Sequence, residues 1–309
     1  MNIRFDGRVA IVTGAGTGLG RCHALGLAAR GAKLVINDLG ASTAGEGRSS
    51  DAAQSVVREI RDGGGEAIAH GADVSDEAQV ADMVAQAMAQ WGRVDILVNN
   101  AGILRDKSFG KMAMADFRKV IDVHLIGSAI CAHAVWAVMR AQEYGRIVMT
   151  ASGSGLYGNF GQANYGAAKA GVMGLMNVLH LEGARDNIRV NTLAPTAATR
   201  MTEELLPEQA LDLLAPEKIT PGLLYLVSED APSRTILGAG AGCFAQTRVL
   251  ETEGILLEDE ANTPEQVAAR FAEIAAPEGQ KEMADAFSQT RKYALRAARA
   301  RGLDLNWSS

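Results

Sequence analysis

The sequence predicts an α/β fold: a doubly wound parallel sheet with helices on both faces, followed by a helical C-terminal extension. Three observations predict it. Short apolar runs alternate with helical-period stretches up to about residue 245. The first apolar run ends in a glycine-rich turn, Gly14 to Gly20. From about Glu251 the texture changes to acidic, alanine-rich helix with no further strands evident. Strand and helix in alternation specify parallel strands joined by crossover helices, with the ligand crevice at the carboxyl ends of the strands. The expected division is residues 1–250 and 251–309.

The strands are expected at Val9 to Thr13, Lys33 to Asp38, a short run before Asp73, Val94 to Asn99, Arg146 to Thr150 and Ile188 to Leu193. Their near-continuous apolar character is that of strands buried on both faces. Ala53, Val56, Val57 and Ile60 recur at helical spacing before the stop at Gly63, Gly64 and Gly65. Val80, Met83, Val84, Ala87, Met88 and Trp91 form a second stripe, and Phe117, Val120, Ile121, Leu125 and Ser128 a third that includes His124. In the extension, Arg291, Lys292, Arg296, Arg299 and Arg301 gather as a basic cluster.

Composition narrows the function. The 309 residues are 48% apolar, enough for a large core. Thirty Lys and Arg against 36 Asp and Glu leave a net charge of −6, which argues against bulk-charge binding to nucleic acid or anionic lipid. Cys22, Cys131 and Cys243 are odd in number and scattered, giving neither a disulfide framework nor a metal spacing, and reduced buried thiols are expected. The N-terminus lacks a signal-peptide pattern, no uninterrupted apolar run reaches membrane-spanning length, and Asn306 to Ser309 is no peroxisomal tripeptide. A cytoplasmic location is expected.

The chemical signals begin at Thr13-Gly14-Ala15-Gly16-Thr17-Gly18-Leu19-Gly20. Glycines let the backbone approach a pyrophosphate, and free N–H groups at a helix start attract its charge. Residue 19 is Leu, so the spacing is T-G-x-x-x-G-x-G rather than G-x-G-x-x-G. Asp38, ending the second strand, can accept both hydroxyls of a ribose and repel a ribose phosphate, which favours NAD over NADP. Its alternative reading is a turn-former before Gly40. Asp73 in Ala72-Asp73-Val74 is read either as an acceptor for an adenine amino group or as an exposed turn carboxylate. Asn99-Asn100-Ala101-Gly102 ends the fourth strand, either packing small residues on a cofactor or tying strands together by buried amides.

Tyr165 and Lys169, four apart on one helix, face the same side, and Ser152 lies thirteen residues upstream. A phenol has an ordinary pKa near 10, and working near neutrality requires a shift of roughly 4 kcal/mol. A cation about 4 to 5 Å away at an effective dielectric of about 20 supplies roughly that much. The trio therefore reads as a base with its activating charge and a hydroxyl for the substrate oxygen, the set of a nicotinamide-dependent oxidoreductase.

Together the motifs at 13–20, at 99–102 and at Ser152, Tyr165 and Lys169 resemble the short-chain dehydrogenase/reductase family across about residues 5 to 245. The resemblance implies a Rossmann-like fold. Asn37 to Gly40 with the insertion after it, Gly102 to Asp106, and Tyr157 to Tyr165 carry a narrower resemblance. They are similar to the (3R)-hydroxyacyl-CoA dehydrogenase domains of peroxisomal multifunctional (D-bifunctional) enzymes, a group with 17β-hydroxysteroid dehydrogenase activity. The implied reaction is NAD-dependent oxidation of a secondary alcohol, with (3R)-hydroxyacyl-CoA thioesters ahead of free sterols. A noncatalytic NAD-binding sensor or scaffold is the rival from another class.

The resemblance implies cofactor contacts from Gly14, Thr17, Gly18, Leu19, Gly20, Asp38, Asp73, Val74, Asn100, Ala101, Gly102, Tyr165, Lys169, Pro195 and Thr196. Many members place Asn where this chain has His124, so His124 is read as a proton-relay member or as a hydrogen-bonded core histidine. Pro195-Thr196, expected after the sixth strand, replaces a frequent Pro-Gly. Leu104, Leu156, Tyr157, Phe160, Met201 and the rest of Arg200 to Leu206 are candidate substrate-lining residues or ordinary core. Arg105, Lys107, Arg200 and the C-terminal basic cluster are candidate CoA-phosphate partners or solvated charge. Gly166, Ala167, Ala170, Gly171 and Gly174 invite close helix packing, and the resemblance implies a homodimer or homotetramer through that helix.

Overall fold

The computed structural model describes residues 2–198 and 208–307, and the chain divides into two compact units, Met1–Thr247 and Arg248–Ser309. In the first unit an eight-stranded sheet runs in the order β3-β2-β1-β4-β5-β6-β7-β8. The strands are β1 Val9–Thr13, β2 Lys33–Asn37, β3 Ala67–His70, β4 Ile96–Asn99, β5 Gly145–Thr150, β6 Ile188–Thr196, β7 Ile236–Gly240 and β8 Cys243–Thr247. All neighbours pair in parallel except β7 and β8. The order reverses between β1 and β4, which opens the crevice at their carboxyl ends.

Side-chain alternation along the strands divides the core into two layers. Ile11, Val35, Leu97, Ile147 and Met149 point to one face, where they join α3 (Glu77–Trp91), α5 (Gly127–Ala141) and α7 (Ala163–Gly183). Val12, Leu34, Ile36, Ile96 and Val148 point to the other, joining α1 (Gly18–Ala28), α2 (Asp51–Asp62) and α9 (Thr220–Leu226). Helix α4 (Met114–Ile121) continues through a π-helical turn, Asp122–Ile126, into α5. The run Met114–Ala141 has the length and composition of a membrane span. Its Val120, Val123, Cys131, Ala132, Val135 and Met139 nevertheless lie in the buried sheet-facing cluster, as in a core helix. Among the described residues of this unit are also the short α-helices α6 (Gly153–Tyr157) and α8 (Glu208–Leu211).

Several expectations change. Pro195 and Thr196 belong to β6, paired with Ala239 and Gly240, rather than following it. β7 and β8 extend the sheet beyond the expected strands, because their glycine-rich and exposed residues carry no apolar run. Cys243 is exposed on β8, while Cys22 and Cys131 are buried thiols.

The second unit carries α10 (Pro264–Ala269), α11 (Phe271–Ile274) and α12 (Ala286–Ala300). Lys292 bonds Glu251 and the Thr252 carbonyl, Arg296 bonds the carbonyls of Glu253 and Gly254, and Arg301 pairs with Asp259. Three members of the expected phosphate-binding cluster are thus engaged inside this unit, because the acidic segment from Glu251 folds back along α12.

Candidate active site

Gly14 and Gly18 take left-handed backbone, at φ +62° and +53°, at the turn from β1 into α1. A Cβ on Gly20 would stand 2.1 Å from the Gly14 carbonyl oxygen, and one on Gly14 would stand 2.8 Å from Ala101 Cα, so neither position admits a side chain. The turn is tied to β4 by Thr13, whose hydroxyl accepts the N–H groups of Asn100 and Ala101, each at 3.0 Å. The Asn100 amide donates back to the carbonyls of Thr13 and Gly14. Asn99 donates to the Ser128 carbonyl on α5, joining β4 to that helix. The two amides therefore tie backbone together, and Asn100 also faces the cleft.

Asp38 stands at the far wall of that cleft. One carboxylate oxygen accepts the Gly16 N–H and the other the Gly40 N–H, each at 2.7 Å. The carboxylate is oriented by backbone, with lone pairs left for further donors. Asp73 accepts both the N–H and the hydroxyl of Ser75, and Lys119 lies 3.9 Å away. Burial alone would raise its carboxyl; the Ser75 bonds and the charges of Lys119 and Arg48 outweigh it and leave Asp73 below the ordinary range.

At the other end, Ser152 caps α6 by accepting the Ser154 N–H at 3.2 Å, and it lines the cleft together with Tyr165 on α7. Lys169, one turn further on, is only 4% exposed and donates to the Thr150 carbonyl at 2.5 Å. Its nitrogen stands 5.5 Å from the centroid of the Tyr165 ring. His124, in the π turn, meets that ring edge-on at 5.1 Å between centroids. Its Nε2 sits 3.0 Å from the Ile103 nitrogen and 2.8 Å from its oxygen, while Nδ1 is buried without a partner. A Cβ on Gly102 would come within 2.3 Å of the imidazole, so the glycine gives the histidine its space.

The electrostatics differ from the expectation that Lys169 brings the phenol down. Burial holds the Tyr165 phenol above its ordinary value, opposed by the Ser152 side chain and reinforced by the Asp106 carboxylate. Burial also pushes Lys169 down to about 7, and burial together with the Lys169 charge keeps His124 neutral. Desolvation dominates because protein atoms enclose most of each side chain even where it borders the cleft.

One cavity of about 590 Å³ joins the two ends. Its walls include Gly14, Thr17, Gly18, Leu19, Asp38, Asp73, Val74, Asn100, Ala101, Gly102, His124, Ser152, Tyr165, Lys169, Pro195 and Thr196. Gly20 stands behind the wall, needed by the turn itself. Among the expected substrate residues, Leu104 and Tyr157 line the cavity. Leu156, on α6, instead packs against the core, and Phe160, in the turn after that helix, is 91% exposed and off the cavity wall. Arg200, Met201 and the segment to Leu206 lie outside the described residues. Arg105 is engaged with Asp116 and the Ala44 carbonyl.

The sequence reading missed Lys119, the loop residues Ala41 to Thr43, and the polar residues Asn159 and Gln162 beside the cavity. Gln162 donates to Asp106 at 2.6 Å and accepts from Ser154 and Asn159, framing the approach to Tyr165. Lys119 has no motif signal, while Ala41 to Thr43, Asn159 and Gln162 lie in segments that carry the narrower resemblance without a spacing that marks them as site residues. Among the described residues no cluster suited to a metal ion occurs.

Residues 8–210 match the family model described as short chain dehydrogenase. The peroxisomal multifunctional enzyme type 2 of Drosophila melanogaster is 49% identical over 263 residues, covering 85% of this chain and 44% of that protein. The solved full-length structure of that enzyme superposes with a TM-score of 0.81 at 38% identity, covering 96% of this chain and 50% of that one. The peroxisomal hydratase-dehydrogenase-epimerase of Saccharomyces cerevisiae is 47% identical over 276 residues, covering 88% of this chain and 30% of that protein. This chain thus spans less than half the length of either curated relative. A 7α-hydroxysteroid dehydrogenase solved with NADH and 7-oxo glycochenodeoxycholic acid superposes with a TM-score of 0.70 at 31% identity, covering 78% of this chain and 96% of that one.

Proposed function

As a member of the short-chain dehydrogenase family this chain is an oxidoreductase, and we propose that it oxidises (3R)-3-hydroxyacyl-CoA to 3-oxoacyl-CoA with NAD, in fatty-acid or sterol side-chain β-oxidation. The observation that carries the reading is the meeting of the glycine turn, Asp38, Ser152, Tyr165 and Lys169 on one cavity. The name of the yeast relative, a hydratase-dehydrogenase-epimerase, supports a dehydrogenase acting on a hydroxyl that a hydratase would supply, and the resemblance of Tyr157 to Tyr165 and Gly102 to Asp106 to (3R)-hydroxyacyl-CoA dehydrogenase domains supports the thioester. Residues 1–250 form the catalytic domain in this proposal, and 251–309 an appended helical unit.

The cleft fits a dinucleotide, since its glycine positions admit no Cβ and its far carboxylate is fixed by backbone N–H groups. Gly14 to Gly20 would hold the pyrophosphate, Asp38 the adenosine ribose, Asp73 and Val74 the adenine, Asn100 to Gly102 and Pro195 to Thr196 the remaining wall, and Lys169 the second ribose. When bound, the nicotinamide supplies a two-electron acceptor beside the carbinol carbon. Tyr165, next to a bound oxidised nicotinamide, would have its phenol lowered by that positive charge, against the effect of burial.

The chain's own groups manage the proton. Ser152 would donate to the substrate oxygen and orient it, and Tyr165, once its phenol has released its own proton to solvent through the cleft, would take the hydroxyl proton as the phenolate. Lys169, held on the Thr150 carbonyl with its nitrogen 5.5 Å from the centre of the Tyr165 ring, would favour the phenolate whenever it carries its proton. A carboxylate at Asp38 favours NAD by repelling a ribose phosphate.

A hydroxysteroid dehydrogenase acting on free sterols is the second reading. It is favoured by the likeness to the 7α-hydroxysteroid enzyme and by the engagement of Arg105 and the C-terminal basic residues away from any phosphate role. Initial rates of NADH formation with a hydroxyacyl-CoA, its free acid and a steroid alcohol, each with NAD and with NADP, separate the two. The thioester is expected to lead with NAD, and equal turnover of thioester and free acid would remove the CoA reading. Tyr165→Phe is expected to abolish turnover; unchanged chemistry would remove the phenol from the mechanism, and a wild type inert on every alcohol would favour the noncatalytic sensor.

Ala167, Ala170, Gly174, Val178 and Leu181 form an exposed stripe on α7 that supports a homodimer or homotetramer through this helix. Gly166 and Gly171 pack internally instead, against Ser154 and Leu125. A cytoplasmic location is part of the same proposal, alongside relatives with peroxisomal names, and cell fractionation tests it.

A further inference from the structure

The loop after β2 returns on itself. Gly40, at φ +68°, has no room for a Cβ beside the Ser49 carbonyl, and the Ser49 N–H donates to the Leu39 carbonyl, which closes the neck. Inside it, the Ser42 N–H donates to Glu46 and the Gly45 N–H to Ser42. The tip then lies on the turn after β4. The Leu104 N–H donates to the Thr43 carbonyl at 2.9 Å, and a Cβ on Gly45 would stand 3.0 Å from Ile103 Cγ2, so the contact is direct.

Arg105 fastens this contact. Its Nε donates to the Ala44 carbonyl at 3.0 Å, its Nη1 to Asp116 on α4 at 2.7 Å, and its Nη2 lies 3.9 Å from Glu46. The planar fork thus joins loop and helix at once, a geometry an ammonium cannot reproduce. Ala41, Ser42, Thr43 and Gly45 line the same cavity as Gly14, Leu19 and Asp38. The Arg105 carbonyl accepts from Asn164, whose own side-chain oxygen accepts the Tyr165 N–H at 2.8 Å.

We propose that Arg105 is a positioning residue that latches the Ala41–Gly45 loop across the cleft, making that loop a wall of the dinucleotide site. The inference rests on the dinucleotide reading above and deepens it. Arg105 acts through the loop backbone and touches neither substrate nor the reacting atoms. Its charge serves to hold the loop, so the residue governs retention of the dinucleotide rather than the chemical step.

The test uses the full chain with Arg105→Met and, as the milder variant, Asp116→Asn, which leaves the bond to Ala44. NADH binding is followed by fluorescence, and hydrogen exchange is read at the amides of Ser42, Gly45 and Leu104. Arg105→Met is expected to weaken NADH binding by about tenfold or more, as for loss of a charged hydrogen bond. The three amides should exchange faster, and kcat/KM for NAD should fall more than kcat at saturating NAD. Asp116→Asn should give a smaller loss in the same sense, and it carries the test if Arg105→Met does not fold. Wild-type NADH affinity in the folded variants would overturn the latch, whether or not the loop amides exchange faster. A wild-type chain that binds no NADH would sink the dinucleotide reading and the latch with it.

Discussion

Lys169→Met should stabilise the folded chain while removing activity, and the gain should depend on pH. Burial lowers Lys169 from 10.5 to about 7, which corresponds to a cost of about 5 kcal/mol for carrying the proton inside the fold. Between those two values the unfolded chain binds the proton and the native chain does not, so native stability rises as pH rises. From pH 7 to pH 9 the rise is about 2 kcal/mol, with the full cost present below pH 7 and relieved only above 10.5. Tyr165 does not offset this, since burial holds its phenol above the ordinary value. Against the gain stands the lost bond to the Thr150 carbonyl, worth about 1 to 3 kcal/mol. The net expectation is a variant more stable by about 2 kcal/mol at pH 7 and nearly level with wild type at pH 9. Urea unfolding at the two pH values, with a constant slope confirming comparable states, measures the difference. A stability difference that does not change between pH 7 and pH 9, or a variant less stable at pH 7, would refute the claim that a desolvated ammonium burdens this fold.

Gly102→Ala forces a methyl group against the His124 ring, which Ile103 anchors, and should cost about 1 to 3 kcal/mol by overpacking, together with a fall in kcat. Adding His124→Asn should relieve part of that cost, and thermal melts of the four-member cycle measure the coupling. Asp38→Asn removes the charge that repels a ribose phosphate, so the ratio of kcat/KM for NAD over NADP should fall by about tenfold. Gly20→Ala meets the Gly14 carbonyl at 2.1 Å and should abolish measurable NADH binding in a fluorescence titration.

What could be read in advance follows from which physical signals are local. β1, β2, β4, β5 and β6 are buried on both faces, so each writes an apolar run into the sequence. β7 and β8 write none: Gly238 and Gly240 dilute the first, and Cys243 to Gln246 face solvent in the second. The stripe through Val120 and His124 reveals a helix, but the π turn at Asp122–Ile126 inserts a local change of period that a five-residue window cannot carry. Ser152, Tyr165 and Lys169 were legible because their chemistry depends on fixed spacing. Arg105 was not, because its role depends on Asp116 and Ala44, which only the folded chain brings to it. Phe160 and Leu156 share an apolar character that says nothing of direction: Leu156 on α6 packs against the core, while Phe160 in the turn beyond that helix faces solvent.

The departures from ordinary folding rules help to locate the site, but no single departure identifies it. Three buried side-chain atoms among the described residues lack a hydrogen-bond partner: His23 Nε2, His124 Nδ1 and Thr150 Oγ1. His23 shows why one such atom is weak evidence. Its other nitrogen bonds Thr220, burial holds it neutral with a pKa of about 3, and it lies in the helix layer of α1 and α9 away from the cavity wall. His124 and Thr150 differ because both line the cavity, one meeting the Tyr165 ring and the other carrying the carbonyl that receives Lys169. Around them a π turn, a buried lysine and a raised phenol occur within a few residues of space. Each costs stability on its own. Their convergence on one cavity wall is the physical argument for chemistry there, since packing alone would have been served as well by an apolar side chain at Lys169.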